Sequence, residues 1–117
     1  MQKALENSVG NRAYAQVQLY GRFLKRCTEQ TSISSGMENI HQTARSATQW
    51  FVRMAAVQAL TELITYCETE AASSARSKDV AGESRWKTNM DTARKYVDDI
   101  KKNETNEMLL KLFNGQQ

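Results

Sequence analysis

The chain has no proline, five glycines, one histidine and two cysteines in 117 residues. Each scarcity excludes something. Proline breaks helix interiors and is common in loops, so its absence fits long helices with few irregular connections. One histidine and two cysteines 40 positions apart do not make the clustered ligand spacing of a zinc site, and no HExxH pattern occurs. No stretch approaches the roughly 18 consecutive apolar residues of a membrane span. The opening residues, MQKALENSVGN, lack the apolar core of a secretory signal. Apolar–polar alternation with β-branched enrichment is nowhere found, so no segment reads as strand. No cofactor-binding motif is present.

What remains is a helical sequence of ordinary charge. The length predicts one domain, residues 1–117, that buries about two-thirds of its unfolded surface. Charged residues make up 25% and aromatics 8%, as in folded proteins, but the mean hydropathy of -0.64 implies a narrow core.

Apolar periodicity divides the chain. From about Leu5 to Glu29, residues Ala13, Val17, Tyr20, Leu24 and Cys27 recur at steps of four and three, which is one helix face. Leu19 and Phe23 widen it. Gly21 weakens a helix by about 1 kcal/mol relative to alanine, or lets a second helix approach closely. TEQTSISSG then reads as a break. Ser35 and Glu38 fit a capping box that opens a second, long helix from about Gly36 into the mid-seventies. Residues 73–84 are rich in serine and glycine and read as a turn near Lys78 to Gly82, with a continuous helix as the alternative. Trp86, Met90, Ala93, Val97 and Ile100 define a third helix, from about Glu83 to Lys102. Its Lys87–Asp91, Asp91–Lys95, Arg94–Asp98 and Asp98–Lys102 pairs have the spacing of surface ion pairs. Met108, Leu109, Leu112 and Phe113 form the face of a short fourth helix that ends at Asn114-Gly115. The fold expected is therefore all-α: a helical bundle of three long helices plus a short C-terminal helix, with the long second helix central.

Candidate chemistry is sparse. His41 falls one turn before Arg45, and the only nearby carboxylate in sequence is Glu38, already assigned to capping. A general base needs an orienting partner and a nucleophile. His41 is thus expected on a solvated helix face. Cys27 and Cys67 sit at apolar helical positions and are expected as buried free thiols; the alternative is one disulfide between helices.

Two features point to contact with other molecules. From Trp50 to Val57 only Arg53 interrupts the apolar residues, which cover nearly every direction of a helical wheel. A helix apolar all round is buried, yet few other apolar faces exist to cover it. Trp50, Phe51 and Met54 are therefore the expected protein interface. Second, the first 58 residues carry seven cations against three acids, whereas the remainder is nearly balanced. Arg12, Arg22, Lys25 and Arg26 lie in a run without acids, interleaved with Tyr14 and Tyr20, and are the candidate nucleic-acid contacts.

The sequence leads to the expectation of a non-enzymatic helical protein that acts by protein–protein contact. It would be a homo-oligomer, a subunit of a larger assembly (virion, phage or secretion apparatus), or a small adaptor or chaperone. The alternative is a nucleic-acid-binding protein that uses the basic face of its first helix. A cytoplasmic protein, or one built into a larger particle, is expected.

Overall fold

A computed structural model describes the backbone of residues 2–115 and the side chains of residues 8–115. Within these residues the chain is all-helical, with five helices: α1 (Gln2–Leu24), α2 (Gln30–Ser46), α3 (Trp50–Arg76), α4 (Val80–Lys102) and α5 (Glu107–Gly115). The sequence predicts four; the long second helix is two.

The split falls at Ala47–Gln49, where no glycine or proline stands. Ala47 and Gln49 are both extended, with ψ of 129° and 130°. The cause lies in packing. The all-round apolar start of α3 needs cover on several sides, and a continuous helix would carry residues 30–46 away from it. Folded back, α2 lays Ile33, Met37, Ile40 and Ala44 into the core beside Val52, Ala56 and Leu60. The Arg53 guanidinium donates to the Ala47 carbonyl at 3.0 Å and so satisfies a group that the break leaves without a helical partner.

α2 also begins earlier than its sequence suggests. Ser35 and Glu38 lie within the helix and cap nothing; the N-cap position is Glu29, without a side-chain cap bond. The stretch TSISSG, polar in composition, is helical because Ile33 and Gly36 face the core. Gly36 leaves room there: a Cβ would come within 2.6 Å of Leu24 Cδ2, so the α2 backbone rests directly on the buried Leu24 side chain of α1. Gly21 likewise sits against Ala59, 3.1 Å from a built Cβ, which is the close approach that its sequence position suggested.

The α3–α4 turn lies at Ser77–Asp79, close to its expected place. The Asp79 N–H donates to the Ser74 carbonyl at 2.8 Å and the Lys78 N–H to the Ala75 carbonyl at 3.1 Å. These are the paired bonds of a Schellman motif, with Lys78 in the left-handed conformation at φ 62°. Asp79 then caps α4 by accepting from the Gly82 N–H at 3.0 Å.

Cross-helix contacts give the directions. Gly10 meets Phe51, Gly21 meets Ala59 and Lys25 meets Glu62, so α1 and α3 run parallel. Gln30 meets Asn89 and His41 meets Asp99, so α2 and α4 run parallel too. The first four helices form an up-down-up-down arrangement in which α2 and α3 touch each other and both flanking helices, with α3–α4 the principal pair and α1 resting on α2 and α3. The result is a flattened rhombus with α1 and α4 at the far corners. The molecule measures 57 × 27 × 16 Å, and its radius of gyration is 15.4 Å, against about 13 Å for a compact domain of this length.

Candidate functional site

The corner position of α1 decides what its surface offers. Gly10, Val17, Gly21 and Leu24 point inward. Leu19 and Phe23, expected to widen that inward face, instead look outward, 66% and 52% exposed. α1 has neighbours on one side only, and at 100° per residue Leu19 stands opposite Val17. Arg12 and Arg22 share the outward arc with them, and Arg26 continues it in the turn that ends the helix; all three are exposed. Lys25 departs from this group. It turns toward α3, where its Nζ lies 2.8 Å from Glu62 Oε2. Of the four candidate nucleic-acid contacts, the structure therefore groups three on one face, mixed with large apolar side chains.

The candidate interface at the start of α3 is graded rather than uniform. Trp50 is 47% exposed, Phe51 and Met54 are half-buried, and Val52 is buried. Phe51 packs edge-on against Tyr14 of α1, with ring centroids 5.9 Å apart, and Trp50 packs edge-on against Phe51 at 6.0 Å. Trp50 is the outermost member of this aromatic row. On α5 the expected four-residue face divides. Leu109 and Phe113 are buried, while Met108 and Leu112 remain exposed.

His41 is not solvated. It is buried on the core face of α2, its Nε2 is 2.7 Å from Asp99 Oδ2, and Tyr96 stacks on the ring with centroids 4.1 Å apart. The orienting carboxylate lies 58 positions along the chain. Asp99 is held below the ordinary carboxylate range, first by the hydrogen bond to His41, with Arg45 and Asn103 adding to it. A second polar junction joins Arg53 to Glu104, whose side chain is fully buried. Arg53 Nε lies 2.6 Å from Glu104 Oε1, and Arg53 Nη2 lies 2.9 Å from Oε2. Burial raises the Glu104 pKa, but Arg53 and the N–H groups of Asn106 and Thr105 outweigh it and the net shift is downward. A third is the reciprocal amide pair of Gln30 and Asn89, at 2.7 and 2.9 Å.

Between the first two junctions lies a recess of about 320 Å³ lined by Ala44, Arg45, Ala47, Arg53, Asp99, Ile100, Asn103 and Thr105. Most of its polar groups are committed to one another: Asp99 to His41 and Asn103, and Arg53 to Glu104 and Ala47. This is the chemistry of helix junctions. The chain matches no protein-family model, no curated protein and no solved structure. Function must therefore be argued from the surface.

Cys27 and Cys67 are both buried and free. Burial, with help from Glu70, pushes the Cys67 thiol up to about 11. Among the described residues no helix is long and apolar enough to cross a membrane.

The ion pairs expected along α4 are replaced by others. Lys87 reaches back to Glu83 at 3.0 Å, and Arg94 divides between Glu68 of α3 at 3.4 Å and Asp91 at 3.8 Å. A cross-helix carboxylate was within reach, which spacing along one helix does not reveal.

Proposed function

We propose that this chain acts by binding another protein chain rather than by catalysis, as a subunit or adaptor. The observation that carries the reading is the surface left uncovered by a flat bundle. Large apolar residues lie in that surface on three helices: Leu19 and Phe23 on α1, Trp50 on α3, and Met108 and Leu112 on α5. Singly exposed apolar residues are ordinary, but grouped ones mark interaction sites. The test is recovery of the native protein after mild cross-linking, with the linked peptides identified by mass spectrometry. Links from α1, α3 or α5 to a second chain support the reading. A protein recovered alone and monomeric overturns it.

Nucleic-acid binding is the second reading, favoured by Arg12 and Arg22 of α1 and Arg26 of the following turn, which lie on one face. With Lys25 paired to Glu62, three cations remain on this face, and the salt slope of any binding there is no steeper than about -2.7.

A further inference from the structure

We infer that the outward face of α1 is the docking surface for an acidic amphipathic helix of a partner protein. The inference rests on the protein-contact reading above and names both the surface and the chemistry of what covers it.

Four observations carry it. First, Val9, Arg12, Leu19 and Phe23 of α1 lie at steps of three, seven and four, a spacing by which one helix pairs with another; polar Gln16 fills the gap and donates to Asn39 of α2, and Arg26 follows in the turn. Val9, Leu19 and Phe23 are each more than half exposed. Second, residues 7–28 contain no aspartate or glutamate. Among the described residues, the one cross-helix carboxylate that pairs with this segment is Glu62, and it is taken by Lys25. Arg12 and Arg26 within this exposed face and Arg22 beside it thus carry positive charge that no ion pair among the described residues opposes. Third, that charge argues against a second copy of α1 as the occupant, because two such faces would bring together arginines from both chains with no acid between them.

Fourth, the placement of the arginines argues against a lipid surface. A helix lying in a membrane keeps its cations on the polar side, away from the apolar residues. Here Arg12 projects between Leu19 and Phe23 on the wheel, so immersing these two would carry its guanidinium toward the acyl chains. In a helix pair the same arginine meets a glutamate of the partner, and the charge complementarity sets partner choice.

The experiment uses the full chain and a labelled synthetic helix of about four heptads, with leucine at the seam and glutamate on both flanks. A second peptide has lysine in place of glutamate. Fluorescence anisotropy is expected to show saturable binding of the acidic peptide, none of the basic one, and weakening with salt. Leu19→Ser/Phe23→Ser and Arg12→Glu/Arg22→Glu are each expected to weaken binding by about tenfold or more, with far-UV circular dichroism and thermal midpoint retained because these side chains face outward. Equal binding of both peptides, no binding of the acidic one, or binding unaffected by these substitutions overturns the inference. So does tighter binding of an oligothymidylate or of phosphatidylserine vesicles through the same residues. If the acidic peptide fails while cross-linking still yields a partner chain, the protein-contact reading stands and this assignment alone falls.

Discussion

His41 and Asp99 meet at 2.7 Å across 58 positions of sequence and fix the register of α2 against α4. Tyr96, three residues before Asp99, stacks on the same imidazole. Successive turns of α4 therefore grip one ring on α2. The Gln30–Asn89 amide pair does the same about three turns away. These contacts tie α2 to α4, and they consume the histidine that would otherwise attract a catalytic reading.

Acid should weaken the fold through Asp99 and Glu104. Both carboxyls titrate below their ordinary range in the folded protein. Their contribution is present above the unfolded values of about 4 and is lost as pH falls through the depressed folded values. Urea midpoints are expected to drop below about pH 4.5, and to drop less in Asp99→Asn. An identical pH dependence in that variant would show that the His41 pair contributes no proton-linked stability.

Arg53 should be among the costliest residues to replace. It closes α2 through the Ala47 carbonyl and neutralises a fully buried glutamate that also orders the start of α5. Arg53→Met leaves that carboxylate buried and unpaired, a change worth about 3–5 kcal/mol. Replacing both, as Arg53→Met/Glu104→Leu, should recover part of the loss. A single-variant cost below about 1 kcal/mol would place the pair with weak surface bridges instead.

The sequence made some of this arrangement legible and hid the rest for physical reasons. The Trp86–Ile100 stripe marks α4 because one side of that helix faces the core throughout. The division between α2 and α3 has no local signal, since nothing in Ser46–Gln49 forbids a helix and the break serves contacts made elsewhere. His41 carried an overlooked signal: it continues the stripe of Ile33, Met37 and Ala44, so its burial was readable. Its partner was not, because no spacing rule links residues 41 and 99. The outward turn of Leu19 was hidden as well, because periodicity shows an apolar position but not whether a neighbour exists to cover it.

Lys78→Gly should stabilise the protein. Lys78 holds φ 62° in the turn after α3, where a side chain costs about 1–2 kcal/mol. Glycine removes that strain but loses more chain entropy on folding, so the net gain expected is about 0.5–1 kcal/mol. A thermal midpoint raised by several degrees supports this; a lowered one shows that the lysine side chain makes a contact outweighing its backbone strain.

The thiols should be silent until the fold opens. Cys67 is buried with its pKa pushed up to about 11, and Cys27 is buried beside the α1–α2 turn, its Sγ 3.7 Å from the Glu29 carbonyl. Brief alkylation at neutral pH without reductant is expected to add nothing to the native protein and two groups after denaturation. Additions that appear only once reductant is supplied would establish a disulfide.

Trp50 and Phe51 are adjacent but should respond oppositely to charge. Trp50 is about half exposed at the outer end of the aromatic row, whereas Phe51 is wedged between α1 and α3 against Tyr14. Phe51→Glu places a carboxylate in that wedge and should cost about 2–4 kcal/mol from lost packing and desolvation. Trp50→Glu should leave the urea midpoint nearly unchanged. If the start of α3 is an interface, Trp50→Glu should still lower the mass seen by light scattering across a concentration series, or abolish capture of the cross-linked partner. A folded Trp50→Glu protein that associates as well as the parent would remove this region from the interface and leave α1 and α5 to carry it.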